Sequence, residues 1–259
     1  MNKILLPILS VLLVSLLLAG CKKNSDITAE NIEFETFSTS RMPEDDANLS
    51  VSIYFELPKR GVSESLDSIY DNLVDEYTNG TDREVQSGIE IFADSIESSY
   101  YEMKQNMAEL GSLITIMYYD SVSPMYAHGD ILEYSRSYFE YEGGAAHGIY
   151  VPNYYTYSLT NGKKLSEDDI FDMTDLNKNA ISGKLVEKYV QEMGESPWCD
   201  TIDFLNGNFF LSDDSLYYQY RPYEVGPYYV GCPCISLSKK FVKPYLKKDG
   251  PLYKCWFGK

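Results

Sequence analysis

The chain has 259 residues and carries 39 acidic against 22 basic side chains, which gives a formal net charge of −17 at pH 7. A surface this acidic repels DNA, RNA and anionic headgroups at long range, so nucleic acid is not an expected partner. The same charge would steer a basic protein towards the chain, although acidic surfaces can also serve only to keep exported proteins soluble.

The N-terminus predicts an exported lipoprotein. Residues 1–3 form a short basic segment, residues 4–18 form an apolar stretch, and Ala19 and Gly20 precede Cys21. A basic start followed by a short apolar stretch is typical of a signal peptide. Small residues directly before a cysteine are typical of the lipobox, where the cysteine receives diacylglycerol and the chain is cut before it. The alternative is a plain signal peptide or membrane anchor with an incidental cysteine.

We therefore expect residues 1–20 to be removed, Cys21 to be lipidated and residues 21–30 to form a tether. The mature chain would carry a net charge of −18, since Lys3 is the only charged residue lost. No later window has the roughly 18 consecutive apolar residues that a membrane span needs. The expected location is the cell envelope, with the chain lipid-anchored on the periplasmic or the outer-membrane face.

Strand and helix patterns then follow one another in runs. Apolar residues recur at every second position in residues 31–40 and 49–57, which predicts two strands. They recur at helical spacing in residues 66–77 and 85–110, which predicts two helices.

The remaining part is richer in strands. We predict strands at 113–122, 131–142, 149–159, 209–211, 216–220 and 234–237, a helix at 176–193 ending near Gly194, and short helical segments at 166–171 and 241–246. Runs without regular βα alternation predict an α+β fold, with a mainly antiparallel sheet and helices packed on it. We place a boundary near Gly111, between an N-terminal strand-helix-helix unit (residues 31–111) and a C-terminal β-rich unit (residues 112–259).

A glycine-rich loop that presents a histidine is the main candidate site. Gly143 and Gly144 are adjacent, His147 follows, and Gly148 comes next. Two neighbouring glycines allow backbone conformations that other residues avoid, so we predict a tight loop. Histidine side chains can act as a base near neutral pH or contact a ligand, and His147 is a candidate for either role. The alternative is a structural turn whose imidazole bonds nearby backbone.

The chain contains 24 tyrosines, a residue that combines apolar area with a polar tip and suits interfaces and sugar-stacking surfaces. We expect many to be buried and some to be exposed. The candidate binding residues added to the loop are Tyr150, Tyr154, Tyr223, Glu224 and Tyr228.

No pattern of a catalytic or metal centre emerges. The chain lacks the Gly-x-Ser-x-Gly motif of serine hydrolases. Asp168, Asp169, Asp172 and Asp175 do not have the spacing of a calcium-binding EF-hand loop, so we interpret them as a solvated helix start. We expect no catalytic residues, no metal and no cofactor.

Four cysteines remain besides the lipidation site: Cys199, Cys232, Cys234 and Cys255. Disulfides persist in exported proteins. A bond between Cys232 and Cys234 would close a small, strained ring. We therefore expect Cys199 and Cys255 each to join one member of that pair, with free thiols or a metal site as alternatives.

Three segments together resemble a known family: residues 141–148, 154–171 and 220–229. They are similar to the RsiV-like extracytoplasmic domain, a domain of unknown function. It occurs in the sensor region of RsiV anti-sigma factors, beside the catalytic domain of PdaC-type peptidoglycan deacetylases, and in lipoproteins of Bacteroides-like bacteria. The resemblance covers roughly residues 113–246. Family members usually show Gly-Gly-Ala-His, whereas an extra alanine precedes His147 here.

The resemblance implies an α+β fold, recognition of lysozyme in the RsiV case, and no catalysis by this domain. A sigma-binding segment, a membrane span and a deacetylase domain are not found in this sequence, so neither signalling nor deacetylation is carried over. We expect a lipid-anchored binding protein that recognises a cationic protein such as lysozyme, or a cell-wall glycan. The alternatives are an envelope hydrolase or deacetylase acting through His147 and a subunit of a surface assembly.

Overall fold

A computed structural model describes residues 31–78, 84–108, 114–198 and 204–258. The predicted signal peptide, Cys21 and the tether lie outside the described residues, as does Cys199. Within the described ranges, no helix has the length and apolar character required to cross a membrane.

The described residues form eight strands and six α-helices. The strands are β1 (Phe34–Arg41), β2 (Leu49–Pro58), β3 (Ile116–His128), β4 (Ile131–Glu142), β5 (Ile149–Ser158), β6 (Phe209–Leu211), β7 (Ser215–Gln219) and β8 (Cys234–Ser238). The helices are α1 (Glu64–Thr78), α2 (Val85–Ala108), α3 (Glu167–Ile170), α4 (Asp175–Met193), α5 (Lys239–Val242) and α6 (Pro251–Phe257).

Two sheets organise the molecule. The first has the strand order β1-β2-β3-β4-β5, and each neighbouring pair is antiparallel except β2 and β3. Parallel neighbours need a long crossover connection. Helices α1 and α2, which lie between β2 and β3 in the chain, provide it. The second sheet is antiparallel, in the order β6-β7-β8. The predicted α+β fold with mainly antiparallel pairing is confirmed.

The alternation in β2 explains the first hydrophobic core. Leu49, Val51, Ile53, Phe55 and Leu57 are all buried, at most 2% exposed, and the residues between them are more accessible. Helices α1 and α2 both contact this strand, and α2 also contacts β1. Each apolar face is therefore covered by the other element, and hydrophobic burial is the dominant stabilising term.

Helix α4 organises the second core with the three-stranded sheet. Its buried residues Ile181, Leu185 and Tyr189 recur every four positions and pack with β6, β7 and β8 side chains. The helix ends at Gly194, which has the left-handed φ of 75° expected of a C-terminal cap. The predicted end of this helix is confirmed.

Residue 111, where the sequence placed a domain boundary, lies outside the described residues. The strands that precede and follow it, β2 and β3, are neighbours in the first sheet. One hydrophobic core joins residues of β2, α1 and α2 with residues of β3, β4 and β5.

Cys232, Cys234 and Cys255 are free thiols. The predicted disulfide from Cys255 to Cys232 or Cys234 is therefore wrong. The Cys255 sulfur lies 3.8 Å from the His128 carbonyl oxygen, and the Cys232 sulfur lies 3.6 Å from that of Tyr150. His128 lies on β3 opposite Ile131 and Tyr150 lies on β5 opposite Phe139, so their carbonyls are about 25 Å apart along the sheet at the usual strand rise. Bonded cysteines need Cα atoms within about 7 Å.

Candidate functional site

The loop between β4 and β5 is shaped by its glycines. The Gly143 backbone N–H donates to the Thr115 carbonyl at 2.6 Å, and a Cβ at Gly143 would lie 2.6 Å from the Thr115 nitrogen. Gly144 has a positive φ of 100°. A Cβ at Gly148 would lie 2.5 Å from the Phe139 ring. These predicted binding residues therefore have a structural reason to be glycine, which is to let the loop fold tightly onto the sheet end.

His147 lies against two tyrosines from a distant segment. Its ring stacks on Tyr228, with centroids 3.6 Å apart and planes at 15°. Its Nε2 is 2.9 Å from the Tyr223 hydroxyl oxygen, and its Nδ1 is 3.0 Å from the Gly148 carbonyl oxygen. The Tyr228 hydroxyl donates to the same carbonyl at 3.0 Å. Because a carbonyl only accepts, Nδ1 donates to Gly148, and the tautomer with its proton on Nδ1 leaves Nε2 to accept from the Tyr223 hydroxyl.

Exposed rings extend this contact into a surface. The Tyr223 ring lies 5.5 Å from that of Tyr228 and 6.2 Å from that of Trp198. Tyr223, Tyr228 and Trp198 are 46%, 38% and 58% exposed. We call His147, Trp198, Tyr223 and Tyr228 the aromatic surface. Trp198 was not predicted; the available signal was a tryptophan in the polar segment after α4.

The backbone at Tyr223 is held in an unusual conformation. Among the described non-glycine residues, it alone has a positive φ, at 66°. Such a conformation costs of order 1–3 kcal/mol and clusters at functional sites. The Glu224 carboxylate stabilises the turn, since it accepts from the Arg221 backbone N–H at 2.7 Å and from the Asn206 side-chain amide at 2.8 Å. Glu224, predicted as a binding residue, thus supports Tyr223.

Tyr150 and Tyr154 lie outside the aromatic surface. Tyr150 is 46% exposed on β5, and its hydroxyl is 3.3 Å from the Ser137 hydroxyl. The Tyr154 ring lies 4.2 Å from the Phe210 ring, and its backbone N–H donates to the Asn208 side-chain oxygen at 2.7 Å. Tyr154 therefore joins β5 to β6.

A polar groove leads away from Tyr223. One cleft of about 370 Å³ and another of about 290 Å³ share Asn206, Asn208 and Arg221 in their walls, and Asn153 lines the second. The Arg221 Nη2 donates to the Asn153 side-chain oxygen at 2.8 Å. These four residues, which we call the polar groove, come from β5 and two separate loops, so no local pattern indicates them.

A larger cleft of about 460 Å³ lies between α2 and the first sheet. Its walls include Phe92, Met103, Tyr138 and Arg136. Arg136 donates from Nε to one Asp120 oxygen at 2.9 Å and from Nη2 to the other at 2.6 Å. This guanidinium has a buried structural partner, and the sequence did not single out either residue.

The acidic segment at 168–175 forms the predicted helix start. The Asp169 carboxylate accepts from the Ser166 backbone N–H at 2.9 Å and from its hydroxyl at 2.8 Å, as in a capping box. In the ranges that the structure covers, no three His, Cys, Asp or Glu side chains are grouped as metal ligands.

Substituting Gly143 with alanine is expected to lower the free energy of unfolding by about 1–3 kcal/mol, the usual cost of overpacking. The added methyl group would meet the Thr115 backbone, which cannot move aside like a side chain. The control is Gly183→Ala in α4, where nothing lies within 4 Å of the new Cβ and we expect a gain of about 0.5–1 kcal/mol. Urea denaturation followed by circular dichroism measures both, and a neutral Gly143→Ala would contradict the close contact.

Comparisons with known proteins give a partial family match and a similar fold. A family described as "Protein of unknown function (DUF3298)" matches residues 168–240, which contain Trp198, Tyr223 and Tyr228 but not His147. No curated protein matches the chain. The fold is similar to the crystal structure of a DUF3298 family member from Bacteroides fragilis NCTC 9343, with a TM-score of 0.73 and 19% identity over 88% of this chain and 98% of that one.

A second similar structure is a DUF3298 family protein from Pseudomonas aeruginosa PAO1. Its TM-score is 0.54 and its identity is 14%, over 83% of this chain and 94% of that one. Both likenesses show the fold.

Proposed function

We propose that this chain is a non-catalytic, lipid-anchored protein of the cell envelope that binds a cell-wall glycan across the aromatic surface and the polar groove. The observation that carries the proposal is the group of exposed rings at Trp198, Tyr223 and Tyr228, packed on His147 beside a groove of amides and a guanidinium. Aromatic faces suit the apolar faces of sugars, and amide and guanidinium groups suit their hydroxyls. Cys21 and the preceding apolar stretch support the envelope location.

The rings are pre-organised for binding. Tyr228 is fixed by its stack on His147 and its hydrogen bond to Gly148, and Tyr223 by its hydrogen bond to His147. Side chains that are already ordered lose less entropy when a ligand binds. Arg221 makes one side-chain hydrogen bond within the described residues, to Asn153, so further guanidinium donors can face a ligand.

A cationic protein is the second candidate ligand. The net charge of −17 favours encounter with a basic partner, and exposed Trp and Tyr are typical anchors of protein interfaces. The resemblance to the RsiV-like domain supports lysozyme as the protein to test first. Such binding would weaken as salt screens the attraction.

A hydrolase or deacetylase acting through His147 is less well supported. A general base needs a free nitrogen and commonly a partner that orients the ring. Nε2 already contacts the Tyr223 hydroxyl and Nδ1 contacts the Gly148 carbonyl. Neither of these partners is a carboxylate. Muropeptide digestion by the wild type and by His147→Ala is expected to release no product from either.

The test is retention of the protein on purified, insoluble peptidoglycan. Tyr223→Ala and Trp198→Ala are each expected to weaken retention about tenfold, because a lost ring contact of about 1.4 kcal/mol corresponds to that factor. The matched control is Tyr101→Ala on α2, a tyrosine 44% exposed and away from both features. We expect the control to bind like the wild type.

The outcomes separate the candidates. Equal retention of all three variants would contradict a glycan site on these rings. Binding to hen lysozyme at low salt, without retention on peptidoglycan, would favour the cationic partner. Product release by the wild type but not by His147→Ala would favour the enzyme.

A further inference from the structure

Positive charge is concentrated at the C-terminal end of this acidic chain. Residues 239–259 contain seven lysines and one acidic residue, Asp249, so this segment carries +6 while the rest of the chain carries −23. The lysines are Lys239, Lys240, Lys243, Lys247, Lys248, Lys254 and Lys259. The net charge alone therefore hides a segment of opposite sign.

Two of these lysines lie over one aromatic ring, and three more are carried by the same short segments. The ammonium groups of Lys239 and Lys243 lie 4.9 and 4.3 Å from the centroid of Phe257. Lys254 is three residues before Phe257 in α6, which places both on one face of that helix. Lys240 and Lys248 are exposed on α5 and in the turn before α6. We call these five lysines with Phe257 the lysine surface.

The lysine surface differs from several other cations of the molecule in its partners. Lys59, Lys104 and Lys163 each form a salt bridge with a carboxylate. Among the described residues, no salt bridge includes a member of the lysine surface. Its charge is therefore not neutralised by such a pair within that part of the chain, and an external anion can meet it.

We propose that the lysine surface docks on an anionic phospholipid membrane. Several lysines near one another attract acidic headgroups, and each contributes roughly a fivefold gain in affinity near the membrane surface. Lysines also extend their charged ends past apolar groups such as Phe257 towards headgroups. The predicted attachment at the N-terminus holds the chain close to lipid, which raises the effective concentration of headgroups.

This docking would orient the molecule. The positive segment would face the bilayer, and the strongly acidic remainder would be repelled from it. The lysine surface shares no residue with the aromatic surface or the polar groove, so the inference uses the predicted membrane attachment but not the proposed glycan site.

The experiment reconstitutes the full chain into vesicles of phosphatidylcholine alone or with one-third phosphatidylglycerol. Lysine acetylation is then followed at each residue by mass spectrometry. With phosphatidylglycerol at low salt, we expect Lys240, Lys243 and Lys248 to react about fivefold more slowly than in vesicles of phosphatidylcholine alone. This difference should vanish at high salt. Lys59, which follows β2, and Lys104, on α2, are expected to react equally in both vesicles.

A combined variant provides the control. Lys240→Gln, Lys243→Gln and Lys248→Gln together should abolish the slower reaction of Lys254, since these exposed residues supply the attraction. The same charge change at Lys59, Lys184 and Lys188 should preserve it. Equal acetylation of the lysine surface in both vesicles would overturn the proposal. So would slower reaction with soluble polyphosphate but not with phosphatidylglycerol, which would indicate a soluble polyanion.

Discussion

Replacing Asp120 with asparagine is expected to lower the free energy of unfolding by about 3–5 kcal/mol, the usual effect of breaking a buried ion pair. The Asp120 side chain has 0% exposure and that of its partner Arg136 has 14%. Asparagine has nearly the same shape but no charge. The guanidinium would therefore remain buried without its counter-ion, and desolvation of that charge is the main cost.

Hydrogen bonds from neighbouring tyrosines add to the loss of stability expected for Asp120→Asn. The Tyr77 hydroxyl donates to Asp120, and the Tyr77 and Tyr118 hydroxyl oxygens lie 3.0 Å apart. Burial, together with the negative charge of Asp120, raises the pKa of Tyr77 far above its ordinary value. The phenol therefore stays protonated and donating at pH 7. Asparagine would weaken this hydrogen bond as well, because a charged acceptor binds a donor more strongly than a neutral one.

The control is an exposed Arg–Asp pair. Asp94 accepts from the Arg41 Nε at 2.9 Å, and its side chain is 60% exposed. Exposed pairs contribute about 0–1 kcal/mol, so Asp94→Asn is expected to have little effect. Urea denaturation at pH 7 measures both variants. Equal losses of stability would show that burial does not distinguish the pairs.

Much of the fold could be predicted because its main elements carry long periodic patterns. The five alternating apolar residues of β2 and the helical stripe of α2 were sufficient to indicate strand and helix. Helix α6 was missed because its seven residues bury only Leu252 and Trp256, too few to show a period. The parallel pairing of β2 with β3 was also missed, since it depends on how α1 and α2 return the chain across the sheet.

The site could be predicted only in part. His147 and the tyrosines Tyr223 and Tyr228 were predicted from different segments of the sequence. The structure brings them together, although both tyrosines lie 76 or more positions after His147. Trp198 and Arg221 were missed because their neighbours belong to other segments. Local patterns indicate which residues are unusual, whereas the tertiary fold decides which of them meet.

Glu133 was also missed, although a carboxylate within the otherwise apolar start of β4 is a visible anomaly. It is 0% exposed. Its Oε1 accepts from the Leu211 backbone N–H at 2.8 Å and from the Thr156 hydroxyl at 3.1 Å, and Oε2 has no hydrogen-bond partner among the described residues. Glu133 therefore connects β4 and β5 of the first sheet to β6 of the second.

We expect Glu133 to reduce stability as the pH rises from about 5 to about 8. Burial raises the pKa of this carboxyl to about 8 in the folded chain, whereas an unfolded glutamate titrates near 4.3. Between these values the folded state holds one more proton than the unfolded state, so the free energy of unfolding falls with increasing pH. The total loss is on the order of 4 kcal/mol, and it levels off above the folded pKa.

The matched variant is Glu133→Gln, which is neutral at every pH and keeps an acceptor for Leu211 and Thr156. Urea denaturation between pH 5 and 9 should show the wild type losing stability relative to this variant, so that glutamine becomes the more stable residue at the alkaline end. Cys255 is present in both proteins, so its thiol, whose pKa burial raises to about 11 in the folded chain, contributes to both stability curves. Parallel stability curves would contradict the raised pKa of Glu133.

Ionisation of Glu133 should also affect the proposed glycan site. Leu211, which donates to Glu133, ends the strand that begins just after Asn208 of the polar groove. A charged, incompletely partnered carboxylate between the sheets would weaken the contact of β4 and β5 with β6. Retention on peptidoglycan is therefore expected to decline in the wild type as the pH approaches 8 and to change less in Glu133→Gln. Because Glu133 is buried and touches no ligand, such a difference would trace the loss to the junction between the two sheets.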